Sequence, residues 1–321
     1  MTNSVQVSST AAVTAAVREL FVETWPGESF ERVAIAFDEF DKLFTGRMPG
    51  YHGVDTVYHD RQHSLDMTLA MARLLVGHER TAETRMRIGP ERAVMALVTS
   101  LFHDAGYIRE FEDRLHRNGA EFTLYHVTRS ARFLARFLPT IGMETWVPIS
   151  TRIVHFTGYE IKLDQIQLSD PRDRKLGHLL GTADLIAQMA DRCYLEKCRD
   201  RLYPEFVLGG IAAAPGSDGA LRVRYSSGLD LLRHTPGFVR ETRLQRLEGE
   251  FEHAYRFIEP LFGGKNPYLE AIDRNVVFLG RVLRTERWLM LRRNPPLFTS
   301  GDNQLGQVRG LMLSHLKTLW A

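Results

Sequence analysis

The stretch PERAVMALVTSLFHDAGY occupies residues 90–107 and joins an apolar helical pattern to an adjacent histidine and aspartate. Its apolar residues predict a helix over about 90–104, with His103 and Asp104 at its end. Because the last turn of a helix need not keep helical geometry, both side chains can reach one region. An imidazole nitrogen and a carboxylate oxygen together suit divalent metals such as iron, manganese, zinc or nickel. The stretch therefore predicts an apolar helix that ends in a metal-binding pair.

Helical patterns also dominate on both sides of this stretch, and none of them changes to sustained period-two alternation. They cover roughly residues 61–77, 119–138, 145–156, 172–202, 240–257, 268–293 and 303–319. Residues 209–228 are rich in Gly, Ser and Ala and predict a long loop, with a short hairpin at Leu221–Tyr225. We therefore predict an all-α protein with a helical bundle domain at 46–205. An N-terminal helical extension at 1–45 precedes it, and a loop insertion with a C-terminal helical extension follows at 206–321.

The composition is that of an ordinary globular protein. The 321 residues include 41 basic and 39 acidic side chains, and this net charge of +2 gives no reason to expect nucleic acid or membrane partners. No apolar run approaches the roughly 18 residues that span a bilayer, and the N-terminus lacks the pattern of a secretory signal. Cys193 and Cys198 lie in one predicted helix and point to different sides, so we expect no disulfide. We expect a cytoplasmic protein.

Two further candidate ligands lie far from the His-Asp pair in sequence. His63 opens a predicted helix after the run YHDRQ at 58–62, and Asp184 lies in the run LGTADL at 180–185. A carboxylate such as Asp104 can bridge two cations roughly 3.5–4 Å apart, which is close enough to activate a water molecule and clamp a phosphate oxygen. The set His63, His103, Asp104 and Asp184 therefore predicts a metal centre suited to hydrolysis.

The order of these residues resembles the HD superfamily of metal-dependent phosphohydrolases, over roughly residues 55–200. Within that superfamily the run YHD at 58–60 followed by His63 is similar to the first motif of the class I cyclic nucleotide phosphodiesterases. The run ADL at 183–185 also looks like their last motif. The His-Asp pair is followed by Ala-Gly-Tyr, which is nearer to the bacterial HD and HD-GYP proteins. The resemblance implies an HD-domain helical bundle that holds divalent metal.

Two histidines between the His-Asp pair and Asp184 complete the ligand set that this resemblance implies. HD proteins with two irons place two extra histidines in this interval, and here His126 and His155 occupy it. In that arrangement Asp104 bridges the two metals. One metal takes His63, His103 and Asp184, and the other takes His126 and His155.

Other polar residues near these motifs are candidates for supporting roles. The resemblance implies that His59 is the general acid that protonates the leaving oxygen, and the pKa of histidine suits this role. The alternative is that His59 is only a capping or loop residue. Asp66, three residues after His63, can orient an imidazole or form a salt bridge on the helix surface. Four cationic side chains can either attract a phosphate or lie on solvated faces: Arg61, Arg109, Lys175 and Arg192. Tyr107 can either contact substrate or pack in the core.

We therefore expect a hydrolase that cleaves a phosphoester, a cyclic nucleotide or another nucleotide, with a small-molecule substrate and Asp104 and His59 as catalytic residues. Two alternatives stay open. The same six ligands also resemble those of diiron oxygenases of the HD fold, which use dioxygen to cleave carbon–carbon or carbon–phosphorus bonds. A second alternative is a module that binds a nucleotide without turning it over. The remaining apolar helices leave a homodimer open.

Overall fold

A computed structural model describes residues 5–218 and 220–319 of the chain. Helices dominate it, which confirms the predicted all-α class, and the β-structure in the described residues comprises one small antiparallel sheet and an isolated bridge. The α-helices are α1 (Thr10–Thr24), α2 (Glu31–Phe44), α3 (Arg61–Thr81), α4 (Pro90–Leu101), α5 (His126–Phe137), α6 (Val147–Ile153), α7 (Pro171–Ala190), α8 (Tyr194–Lys197), α9 (Tyr203–Leu208), α10 (Gly228–Glu241), α11 (Pro267–Thr285) and α12 (Gln304–Leu319).

Shorter helical turns and one hairpin connect these helices. The 3₁₀ turns are Thr84–Met86, Ala105–Tyr107, Gly119–Phe122, Leu138–Ile141, Glu144–Trp146, Val154–Thr157, Leu163–Gln165, Ala254–Leu261 and Trp288–Met290. Two π-helical segments occur at Cys198–Leu202 and Thr242–Glu250. The strands β1 (Ala213–Pro215) and β2 (Leu221–Val223) pair in antiparallel register with Ala214 opposite Arg222. The long loop predicted at 209–228 therefore contains a hairpin.

Helix α3 lies at the centre of the molecule. Every residue of α3 from His63 to His78 is buried, and the helix packs against α1, α4, α7 and the 3₁₀ turn Ala254–Leu261. Helix α7 is buried along most of its length and contacts α3 most extensively. One apolar core includes residues from all three predicted regions of the chain, such as Phe37, Leu69 and Ile272. Since α3 and α7 carry predicted ligands, the candidate site lies within this core.

Two predicted helices are interrupted, and hydrogen bonds from side chains explain where. The helix predicted at 119–138 is a 3₁₀ turn followed by α5, which begins only at His126, because Glu160 from a distant loop accepts the N–H groups of Val127 and Thr128. The helix predicted at 172–202 ends at Ala190, where Asp191 accepts the N–H of Cys193 and starts a new turn. Such side-chain caps end or begin a helix wherever they satisfy its free backbone groups.

Two further boundaries differ from the prediction at positions with left-handed backbone. The helix predicted at 268–293 ends at Thr285, because Glu286 adopts a φ of 52°. The helix predicted at 240–257 is divided where Glu252 and His253 have φ values of 52° and 57°. A left-handed residue interrupts the regular helical hydrogen bonds, and residues with side chains adopt this conformation uncommonly.

The two cysteines, Cys193 and Cys198, are both buried and both have free thiols. Among the helices in residues 5–218 and 220–319, none combines the length and the apolar character that a membrane span requires.

An extended segment at 291–300, which we call the C-terminal strap, crosses the beginning of α3. Phe298 donates its N–H to Asp60 Oδ2 at 3.3 Å, and its carbonyl accepts the N–H of Arg61 at 3.3 Å. Arg201 donates to the carbonyls of Pro295 and Pro296. Beyond the strap, α12 packs against α9. The strap therefore ties the C-terminal part of the chain to the turn that precedes His63.

Candidate metal centre

The cap of α3 positions His63, the first predicted ligand. Asp60 is the N-cap, and its Oδ1 accepts the N–H of His63 at 3.2 Å. A side chain that accepts from the third helical residue is the usual way of satisfying a free N–H at this end. His63 is buried. The helix therefore presents its imidazole to the core from the first turn.

The other predicted ligands come from the end of α4 and the middle of α7. His103 and Asp104 follow the last residue of α4 and lie in the turn before Ala105–Tyr107. Asp184 lies in α7 after small residues, and close packing explains their size. A Cβ on Gly181 would lie 2.6 Å from the carbonyl oxygen of Phe156, so only glycine fits at this contact. Gln188 donates to Asp184 Oδ1 at 3.4 Å.

The structure brings the four predicted core ligands together. His63 Nε2 lies 3.3 Å from His103 Nε2, 3.2 Å from Asp184 Oδ1 and 3.4 Å from Asp104 Oδ2. His103 Nε2 lies 3.3 Å from Asp104 Oδ2. Ligand atoms about 2.1 Å from a shared cation lie roughly 3.0–3.4 Å apart, so these separations suit a metal. The buried group His63, His103 and Asp184, whose ligand atoms all lie within 4.8 Å of one another, could hold a metal ion.

Hydrogen bonds to the outer ring nitrogens support this interpretation for two of the histidines. The Nδ1 of His103 donates to the carbonyl of Ser100 at 2.9 Å, and the Nδ1 of His126 donates to the carbonyl of Thr123 at 2.8 Å. Each bond assigns the proton to Nδ1 and leaves the Nε2 lone pair free in the neutral ring. Metal-binding histidines commonly have such a backbone partner on the other nitrogen.

The carboxylate of Asp104 gives a further indication of a cation. Asp104 is buried, and its Oδ2 takes part in no hydrogen bond with the described residues although two imidazoles are near. A buried charged oxygen without a partner is unfavourable unless a cation neutralises it. Burial lowers the pKa of His103, but the negative charges of Asp104 and Asp184 raise it to about 9 overall. The carboxylates thus make this pocket one that favours positive charge.

His126 lies at the edge of the cluster, and Glu160 fixes its position. Its Nε2 is 3.7 Å from Asp104 Oδ1. Glu160 accepts the N–H groups of Val127 and Thr128 at 2.7 and 2.9 Å, and its Oε1 lies 3.8 Å from His126 Nδ1. The side chain of His126 is 16% exposed. It therefore faces Asp104 from the side of the site that solvent reaches.

His155, the other histidine predicted for a second metal, lies in the 3₁₀ turn Val154–Thr157. It is buried, and within the described part of the chain it forms no ion pair with a carboxylate, while its Nδ1 has no hydrogen-bond partner. Burial lowers the pKa of His155, although Glu160 opposes this effect. Ligation by His155 stays a prediction.

His59 is held by a residue that the sequence did not single out. Its Nδ1 lies 2.6 Å from Glu205 Oε2, and Glu205 is completely buried in α9. Burial lowers the pKa of His59, but the charge and hydrogen bond of Glu205 raise it overall. One glutamate in the short run YPEFVL at 203–208 carries no motif, so no sequence signal could have identified it.

Tyr107 is sandwiched between two histidines of the site. Its ring stacks on His59 with centroids 4.5 Å apart and planes inclined by 18°. On the other face it stacks on His126 at 4.3 Å and 20°. Tyr107 is 2% exposed. The tyrosine ring therefore packs in the core between the two imidazoles and restricts the position of each.

The candidate phosphate-binding cations lie elsewhere. Arg61 pairs with Asp41 at 2.8 Å, Arg109 with Asp55 at 2.9 Å and Lys175 with Glu252 at 2.6 Å. Arg192 and Asp66 both line a separate cavity, which is described below. The structure thus gathers histidines and carboxylates at the site, and it pairs Arg61, Arg109 and Lys175 with other acidic residues.

No protein-family model, curated protein or solved structure matches this chain. What the site can do therefore follows from its own side chains.

Proposed function

We propose that this protein is a metal-dependent phosphohydrolase that cleaves a cyclic nucleotide or another nucleotide phosphoester. One observation carries the proposal: His63, His103 and Asp184 converge in the core beside an Asp104 oxygen that has no hydrogen-bond partner in the part of the chain that the structure describes. The order of the same residues resembles the HD phosphohydrolases, and this resemblance supports the reaction class. The donor set of imidazoles and carboxylates suits iron, manganese, zinc or nickel.

A divalent cation bound there would supply a Lewis acid that activates water and neutralises charge on the phosphoryl oxygens. His63, His103, Asp104 and Asp184 would hold it, and His126 faces the same carboxylate from the solvent side. Asp104 can serve as a bridge because its two oxygens face different histidines, Oδ2 toward His63 and His103 and Oδ1 toward His126.

His59 supplies the proton for the leaving oxygen in this proposal. Glu205 engages its Nδ1, so the second proton of the imidazolium is at Nε2. Burial lowers the pKa of His59, but the charge and hydrogen bond of Glu205 raise it overall, and this favours retention of that proton. A general acid must hold its proton until the leaving oxygen takes it. Tyr107 holds the ring by stacking on it.

The test begins with full-length protein purified without added metal. We expect elemental analysis to find about one to two equivalents of a transition metal per chain. After loading with manganese or iron, the protein is screened for phosphate-ester cleavage over cyclic mononucleotides, cyclic dinucleotides and nucleoside phosphates. Turnover of one class supports the proposal. Dioxygen consumption without any ester cleavage would replace it with the iron oxygenase, and nucleotide binding without product would replace it with a sensor.

Variants connect the activity to the site. His103→Ala and Asp104→Ala should lose metal and turnover together, because each removes a ligand that no neighbour replaces. His234→Ala is the matched control, since His234 is 58% exposed on α10, where it contacts Asp230 and Tyr225. Metal content that is unchanged in His103→Ala would contradict the proposed centre.

A further inference from the structure

A cavity of about 440 Å³ lies beside the core on another face of α3. Gln62, Asp66, Leu69 and Arg73 line it from α3, and this spacing places them along one side of the helix. His63 lies about 100° around the helix from Gln62, so the cavity and the metal centre use different faces of α3. Helix α11 and residues Ala190–Arg192 at the end of α7 form the opposite walls.

Asp66 lines this cavity with a mostly buried carboxyl group that is 7% exposed. Within residues 5–218 and 220–319 its surroundings act on it through burial and nearby charges and not through a hydrogen bond. Burial, followed by the charge of Asp191, raises the pKa of Asp66 to about 8, and the charge of Lys197 opposes this rise. Buried polar groups in folded proteins usually have partners. A molecule bound in the cavity can therefore form a hydrogen bond with this carboxyl.

Arginines surround the same cavity. Arg73, Arg192, Arg274 and Arg293 line it, against two acidic residues, Asp66 and Asp191. Asp191 is already paired with Lys197 at 2.6 Å. Among the side chains that line the cavity, four arginines therefore stand against two aspartates.

The arginines are available for an anion to different degrees. Arg73 is fixed by a 2.7 Å hydrogen bond to the hydroxyl of Tyr268, and its guanidinium lies 5.6 Å from the ring centre of Phe262. Arg274 and Arg293 have only long ion pairs of 3.7 Å, and Arg192 has none with the described residues. Guanidinium groups bind phosphate well because their planar array of donors matches its oxygens.

We propose that this cavity binds a small molecule of the phosphorylated ribose class, with its phosphate on the arginines and a ribose hydroxyl donating to Asp66. A volume of about 440 Å³ falls within the range of sites for small ligands. Inorganic phosphate offers the arginines an anion but has no ribose hydroxyl to place on Asp66. The inference does not depend on the proposed hydrolase activity.

The cavity and the candidate metal centre share two helices. Asp66 lies about one turn from His63 on α3, and Asp191 directly follows α7, which carries Asp184. A molecule bound between these residues would contact both helices that carry candidate metal ligands.

The test is calorimetric titration of the full-length protein with ribose 5-phosphate, AMP and inorganic phosphate, in the presence of a chelator that keeps the metal centre empty. We expect ribose 5-phosphate or AMP to bind at least about tenfold more tightly than inorganic phosphate. Arg192→Ala should weaken that binding about tenfold or more. Asp66→Asn should remove the preference for the ribose compounds over inorganic phosphate. Arg284→Ala, which changes an arginine of α11 that does not line the cavity, is the control.

Two further measurements separate this site from the metal centre. Thermal unfolding of each variant checks that it is folded, and Arg274→Ala, at a side chain that is 64% exposed, gives a second probe with little risk to the fold. His103→Ala should retain ribose phosphate binding. Absence of binding by all three probes would overturn the inference, and so would binding that is lost in His103→Ala but unchanged in Arg192→Ala and Arg274→Ala.

Discussion

His59 Nδ1 lies 2.6 Å from Glu205 Oε2, and the other oxygen of that glutamate accepts the N–H groups of Val57 and Tyr58 at 2.5 and 2.6 Å. One buried carboxylate therefore holds both the imidazole and the loop that carries it. Because α9 contributes this carboxylate, the position of His59 depends on a helix about 145 residues away in sequence. A histidine fixed in this way can present a proton in a constant geometry.

His59→Ala should retain metal but slow turnover by about 10²–10⁴-fold on an ester with a poor leaving group, because the leaving oxygen loses its proton donor. A nitrophenyl ester needs no such proton, so its hydrolysis should change much less. Glu205→Gln should also slow turnover of the ester with a poor leaving group, by a smaller factor. Steady-state rates on both esters, with elemental analysis, check this. Equal losses on the two esters would show that His59 does not act as the acid.

Tyr107→Phe and Tyr107→Leu separate stacking from other effects of the tyrosine. The phenylalanine keeps both stacked contacts with His59 and His126, so kcat should stay within a few-fold of the original value. The leucine removes them and frees both rings, and we expect kcat to fall about 10–100-fold with little change in KM. If Tyr107→Phe is as slow as Tyr107→Leu, the hydroxyl matters and not the stack.

Gly106→Ala should destabilise the fold at the metal centre. A Cβ there would lie 1.8 Å from the carbonyl oxygen of His126, so the backbone of α5 would have to move. We expect a loss of about 2–3 kcal/mol in the free energy of unfolding, measured by urea denaturation, together with weaker metal binding.

Gly237→Ala is the matched control for that substitution. Gly237 lies in α10, and a Cβ there meets no atom within 4 Å. Alanine is the better helix former by about 1 kcal/mol, so this variant should be slightly more stable. A loss of stability of similar size in both variants would contradict the steric explanation for Gly106.

Stability should fall in mild acid because of His78. This buried residue packs against Phe257, and its Nδ1 has no partner among the described residues. Burial, together with Lys175, lowers the pKa of His78 to about 4 in the folded protein. The unfolded chain, with a histidine pKa of about 6.5, binds the proton first. Stability is therefore fully present above about pH 6.5 and is lost as the pH falls toward 4.

Urea denaturation at pH 7 and 4.5 measures this effect. His78 should account for a loss of about 2 kcal/mol between the two values, and His78→Leu should remove that part of the difference. Burial and the charge of Lys175 also lower the pKa of His178 to about 4. His178 therefore adds a further loss of stability at low pH. An identical pH dependence in His78→Leu would contradict the assignment.

Local patterns in the sequence were sufficient for the helical class and for the choice of the candidate ligands that the fold brings together. His103 and Asp104 follow an apolar helix, and His63 follows a capping aspartate, so each is specified by its neighbours in the chain. These signals depend on periodicity and on residue type, which are properties of short segments.

Tertiary contacts determined what the sequence did not reveal. Glu205 and Glu160 look like ordinary glutamates, and only the fold brings one to His59 and the other to the start of α5. The burial of Asp66 beside a cavity also depends on the residues of α7 and α11 that line this cavity with it. Helix ends were misplaced for the same reason, since a distant side chain supplied the cap at His126.

The C-terminal strap has a consequence for how the protein is made. Phe298 reaches back over 238 positions to the aspartate that begins α3. During synthesis on a ribosome, α3, α4 and α7 emerge long before that contact can form, and closing so long a loop comes late. The contact between Phe298 and Asp60 therefore forms after every candidate ligand residue has left the ribosome, because the strap follows all of them in the chain.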